Sequence, residues 1–103
     1  MITISEAANF IKSYCLKDWD TDAIKYEIIK AINDNTLIYT VDNQDNLVGI
    51  CIAHEDKEKK TLHVKAVVAK GNLLKTYLWY FKSRFSGYTL TAYRRGKFKQ
   101  IKI

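Results

Sequence analysis

Apolar residues recur at three- and four-residue intervals along the first third of the chain. They then shift to short alternating runs and return to the helical interval once more. In residues 5–17, Ala7, Ala8, Ile11, Tyr14 and Cys15 fall on one stripe, and Thr3 and Glu6 stand ahead of them at capping-box spacing, with Ser5 a competing cap. A second helix follows from the cap candidates Asp20 and Thr21. It carries acids in its first turn and Ile24, Ile28, Ala31 and Ile32 as its stripe, and the Asn-Asp-Asn run ends it near Asn35.

The period then changes. Residues 36–41 are rich in β-branched and aromatic side chains, DNQDN reads as a turn, and residues 47–54 form the second arm of a hairpin. After the polar turn EDKEKK, residues 61–70 alternate at first and become apolar at the centre, which suits a middle strand covered on both faces. Gly71 breaks this strand and Asn72 is the cap candidate for a third helix, where Leu74, Tyr77, Leu78, Phe81 and Phe85 repeat at helical spacing. Ser86 and Gly87 stop it, and residues 88–93 read as a strand. A strand, a helix and a strand imply a right-handed crossover, so residues 88–93 should run parallel to residues 61–70. RRGK reads as a tight turn with Gly96 at positive φ, closed by a last strand at residues 98–103. The order α-α-β-β-β-α-β-β predicts an α+β fold of the three-layer α/β type. Its mixed sheet would hold an antiparallel meander, one crossover helix and a parallel strand.

Composition narrows the class. A chain of 103 residues, 48% hydrophobic and 27% charged with thirteen aromatics, suits one folded domain spanning 1–103. No apolar run is long enough to cross a bilayer, and Met1 leads directly into Ile2, Thr3 and Ile4 without a basic segment or cleavage pattern. The expectation is a cytoplasmic protein with no membrane partner. Cys15 and Cys51 both lie in apolar patterns and are expected to be buried thiols. His54 and His63 lack the paired spacing of a metal site, so none is assigned.

Charge divides the chain more sharply than composition does. The first 54 residues set four lysines against eight acids, a net of −4; the remaining 49 set thirteen Lys and Arg against three acids, a net of +10. That asymmetry points to a polyanionic partner for the second half or to a solvated face, and it permits a self-complementary homodimer.

The stretches TLIYTVDNQDNLVGICIAHE, LHVKAVVAK leading into LLKTYLWYF, and GYTLTAYRRGKF carry a resemblance. Together they resemble the GCN5-related N-acetyltransferase (GNAT) fold shortened at its C-terminus. The ending LTAYRRGKFKQIKI is similar to the compact GNAT-like proteins of tailed bacteriophages, which would place the protein in a host cell cytoplasm. The resemblance implies an acetyl-CoA site where two parallel strands part, with a glycine-rich loop wrapping the pyrophosphate. The matching stretch, VVAKGNLLK, has a single glycine, so the loop is shortened and its second glycine is missing. Lys70, Gly71 and Asn72 are what remains of a phosphate site at the helix N-terminus. The resemblance also makes Glu55, with His54 beside it, the candidate base and Tyr93 the candidate acid of an acetyl transfer.

The leading expectation is a non-catalytic binding protein with no cofactor that contacts a host or viral macromolecule, most readily a protein. Exposed members of Trp19, Tyr26, Trp79, Tyr80 and Tyr93 would be its anchors. One alternative is an acetyl-CoA-dependent N-acetyltransferase. The second is a nucleic-acid-binding protein using Arg94, Arg95, Lys97, Lys99 and Lys102 on the C-terminal hairpin, where the same charges also suit an edge strand guarded against aggregation.

Overall fold

A computed structural model describes residues 2–94 and 96–103, together with the backbone but not the side chain of Arg94. Among the described residues, three helices and five strands follow the expected order: α1 Ile4–Tyr14, α2 Thr21–Asn33, β1 Leu37–Val41, β2 Leu47–Asp56, β3 Thr61–Val68, α3 Leu73–Arg84, β4 Thr89–Arg94 and β5 Lys97–Lys102. The fold is α+β. Its one mixed sheet has the order β1-β2-β3-β4-β5, antiparallel throughout except for β3 and β4, which are parallel and joined through α3.

Local chemistry accounts for most of the ends. The Thr3 hydroxyl accepts the Glu6 N–H at 3.0 Å and opens α1. This helix ends at Tyr14, three residues short of the expected boundary. The Cys15 and Leu16 N–H groups both turn back to the Ile11 carbonyl, and Cys15 leaves the helical stripe at φ −139°. Cys15 is therefore exposed and only Cys51 is buried, which corrects the expectation of two buried thiols. Iodoacetamide at alkaline pH is accordingly expected to modify one thiol rapidly and the second only on unfolding, as read by intact mass.

Asn35 takes the left-handed conformation at φ 58°, letting the Thr36 N–H reach back to the Ala31 carbonyl at 2.8 Å. Thr36 is fully buried, and its hydroxyl donates to the Ala53 carbonyl, fastening the end of α2 to the sheet. Ile32, expected on the buried stripe of α2, is 45% exposed because Ile24, Ile28 and Ala31 already complete the contact. In the β1–β2 turn the Asp42 carboxylate accepts the Gln44 and Asn46 N–H groups, each at 2.9 Å. Those bonds hold its pKa below the usual carboxylate value.

The sheet pleat separates two cores. Ile50, Ile52, Ala66 and Val68 pack against Ala7, Ala8 and Ile11 of α1 and Ile24, Ile28 and Ala31 of α2. Cys51, Ala53 and Leu62 face the other way, onto Tyr77, Phe81 and Phe85. A bulge between Ile52 and Ala53 shifts the β2–β3 register. β3 ends at Val68, earlier than expected, and its neighbour β4 leaves it sooner still. The parallel pairing covers only Thr61–Val64 against Thr89–Ala92. Among the described residues no helix is long and apolar enough to cross a membrane.

Candidate functional site

Two features meet where β3 and β4 part. The first is a cleft of about 810 Å³ opened by the parting and floored by α3. Tyr77 and Phe81 form its buried floor. Leu74 and Leu78, expected in the core, instead line its wall, with Leu74 44% exposed. The stripe on α3 is wider than the sheet strands available to cover it, because β4 diverges.

Cys15, Lys65, Tyr93 and Lys99 stand among the apolar side chains that line the cleft. Burial pushes the Cys51 thiol up to about 12, so it is neutral at physiological pH and a poor nucleophile. Burial also raises the pKa of Tyr77, whose hydroxyl shares a 2.8 Å hydrogen bond with Thr40.

The second feature is the uncovered end of the sheet. α1 and α2 pack on β1, β2 and β3, and every residue of β5 is exposed. On the α1/α2 side of β3 and β4, His63 Nδ1 lies 2.8 Å from the Thr91 hydroxyl. The His63 and Tyr93 rings meet edge to face at 6.1 Å, and Tyr93 meets its cross-strand partner Phe98 at 5.3 Å. Tyr93 is 68% and Phe98 52% exposed. Register partners share a face, so Gln100 beside Thr91 and Lys102 beside Thr89 extend the same surface. Lys65 borders it, its ammonium held 5.0 Å over the Trp19 ring.

His63 is influenced from several sides. Partial burial lowers its pKa first, followed by the nearby Lys65 and His54; the Thr91 hydroxyl and the Tyr93 ring complete its surroundings, and Glu27 pairs with His54 Nε2. Because the folded state disfavours protonation, the unfolded chain takes up the proton first. Stability is full above the ordinary value of 6.5 and falls as pH drops below it. His63→Gln is expected to flatten part of that fall, measured by urea unfolding between neutral and mildly acidic pH.

The sequence candidates divide unevenly over this geometry. Glu55 accepts the Tyr88 hydroxyl at 2.6 Å, and that bond is the main reason the Tyr88 pKa is raised. Glu55 stands opposite Leu62, and Leu62 opposite Leu90, three residues before Tyr93 on β4. The two candidates are thus separated by about 10 Å along the strands and two strand spacings across, and they emerge on opposite faces. They share no reacting centre. Tyr93 packs with His63 and Phe98.

The connection from β3 to α3 is short. Gly71 has φ 59°, and a Cβ there would meet nothing within 4 Å. Asn72 caps α3 by backbone position alone, without a side-chain bond, and the Leu73 N–H is taken by the Lys70 carbonyl at 3.3 Å. The Lys70 ammonium lies 5.8 Å from the Tyr14 ring centroid.

Strand pleat divides the basic candidates too. Lys102 joins the aromatic face, whereas Lys99, opposite Ala92, lines the cleft, and Lys97 alternates with Lys99 on that side. Arg95 and the Arg94 side chain lie outside the described residues. His54 is the cross-strand partner of His63, but Cys51 points into the opposite core. Among the described residues no three His, Cys, Asp or Glu side chains converge on a metal position.

His63, Lys65 and Gln100 were not singled out from sequence as parts of a contact surface. The i, i+2 spacing of His63 and Lys65, and of Phe98, Gln100 and Lys102, was the available signal. Choosing between the two faces required the register. Comparison of this chain with protein-family models, curated proteins and solved structures finds no match in any of the three.

Proposed function

We propose that this is a small phage-type protein built on a shortened GNAT-like scaffold and serving as a non-catalytic binding protein, contacting a host or viral macromolecule through the β4–β5 end of its sheet. The observation that carries this reading is the uncovered strand pair itself. A wholly exposed β5 places Phe98 against the exposed Tyr93, leaving two large rings in solvent side by side. Exposed aromatics clustered on a rigid sheet and flanked by cations are the composition of contact surfaces rather than of inert edges. The GNAT-like part of the proposal rests on element order and on the parting of the parallel pair. The separation of Glu55 from Tyr93 and the one-glycine loop favour binding over acetyl transfer.

A photo-reactive phenylalanine at Gln100, beside the two rings, tests the reading. The expected result is a discrete macromolecular adduct in cells, diminished by Tyr93→Ala and absent when the probe sits at the exposed Lys30 on α2. Equal labelling from both positions, or none from Gln100, would overturn it.

The cleft supports a second reading, an acetyl-CoA-dependent N-acetyltransferase, because it opens at the parting of parallel strands with room for a slender ligand. Under this reading acetyl-CoA titrates stoichiometrically, an adenine bisphosphate does not reproduce the heat, and Leu74→Arg in the cleft wall abolishes binding.

A further inference from the structure

We propose that the macromolecule is a single-stranded nucleic acid, stacked on Tyr93 and Phe98 and held by Lys65 and Lys102; this rests on the binding-protein reading above. The charge of the surface is the first argument. From Lys59 to the end, the chain has twelve Lys and Arg and no Asp or Glu, so β3, β4 and β5 contribute no carboxylate. Three acids on the neighbouring α2 and β2 have partners. Glu27 pairs with His54, the Asp56 carboxylate accepts the Glu58 and Lys59 N–H groups, and Glu55 holds Tyr88 on the opposite face. A polyanion lying along β3, β4 and β5 would therefore meet cations with no carboxylate among them.

The rings provide the second argument. Tyr93 and Phe98 are a directly opposed cross-strand pair at 63° to one another, each more than half exposed. Their π surfaces are thus offered to a flat ligand instead of to the protein core. Bases in a duplex are stacked on their neighbours and cannot use such a surface, whereas unpaired bases can. His63, Thr91 and Gln100 supply polar groups along the same face, suited to base edges or sugar hydroxyls. Lys65 is positioned by the Trp19 ring beneath it, and Lys102 lies at the far end of the surface beside Thr89, so phosphates on both sides of the stacked bases have a cation. A protein partner would make less use of strands that carry cations and no carboxylate.

The test is fluorescence anisotropy of the full chain with labelled oligothymidine, the corresponding oligouridine and a duplex of equal length, from about 50 to about 200 mM salt. Both single strands are expected to bind more tightly than the duplex, with affinity falling as salt rises. Tyr93→Ala and Phe98→Ala should each weaken binding roughly ten- to a hundredfold, as expected for loss of one base stack. Tyr93→Phe should keep it. Replacing Lys65 and Lys102 together with alanine should reduce the log–log salt slope by about 1.4, or 0.7 per lost contact. Because all four side chains stand at the surface, unfolding curves of the variants report whether the fold is retained.

Preference for duplex, or loss on the lysine changes with none on the aromatic changes, would overturn the stacking site. No binding to any strand, combined with a persistent protein adduct from Gln100, would refute the nucleic acid and leave the binding-protein reading standing. Absence of both would remove both.

Discussion

Phe81→Ala is expected to lower the free energy of unfolding by about 3 kcal/mol and Tm by about 12 °C or more. Phe81 is 2% exposed and sits between the Tyr80 and Phe85 rings, at 5.9 and 6.2 Å, over Cys51, Ala53 and Leu62. Truncation removes a large apolar surface and leaves a hole against the sheet. Because Phe81 also floors the cleft, part of that hole opens to solvent, which places the loss at the lower end of the range usual for such truncations. Urea unfolding is the measurement, with an unchanged m-value showing that the native state has stayed compact. The loss is a large part of the total for a domain of this size, and α3, which carries the cleft wall, should loosen first. A change below about 1 kcal/mol would mean that α3 is not fastened to the sheet through this ring.

The second large effect is expected at Gly49. This glycine is outside the left-handed region, so what it supplies is space. A Cβ here would stand 2.7 Å from Tyr77 Oη, 2.8 Å from Leu73 Cδ1 and 3.3 Å from the Val68 carbonyl oxygen. Leu73 can rotate away. Tyr77 cannot do so freely, because it is buried and bonded to Thr40, and the Val68 oxygen belongs to the sheet. Valine is favoured over glycine in a strand by up to about 1 kcal/mol, whereas overpacking a filled core costs about 1–3 kcal/mol. The clash wins, and Gly49→Val is expected to lower stability by about 2 kcal/mol.

A double-mutant cycle separates this cause from a general strand effect. Gly49→Ala should cost less in a Tyr77→Phe background than in the native one, by at least about 0.5 kcal/mol, since the 2.7 Å contact is gone. Additive costs would assign the effect to the strand backbone instead.

Both residues also illustrate what was legible beforehand. Phe81 announces itself by helical spacing with Tyr77 and Phe85 in α3. Gly49 does not: it reads as one residue of an apolar strand, and the hydroxyl it makes room for comes from a helix 28 positions later.

Element order and type followed from period alone, because a stripe at 3.6 residues and an alternation at two cannot be exchanged without exposing the core. Boundaries moved by one to three residues where hydrogen bonding beyond the local pattern decided them. The ladder with β3 carries β2 out to Asp56, and the double turn onto the Ile11 carbonyl ends α1 at Tyr14. The parallel direction of β4 was also legible, since a helix of this length leaves few other ways back to the sheet.

The site was legible only as ingredients. The basic, acid-free stretch from Lys59 onward and its aromatics are properties of sequence, and so is the single glycine between β3 and α3. Four-residue pairing of β3 with β4 then opened the cleft, and the pleat of β5 sent Lys102 to one face and Lys99 to the other. Cross-strand register brought His63, Tyr93 and Phe98 together from positions up to 35 residues apart. Local pattern determines which face of an element is apolar. Which elements lie side by side, how far they stay paired and which surfaces remain uncovered depend on the balance of packing over the whole chain, and only the tertiary structure decided these.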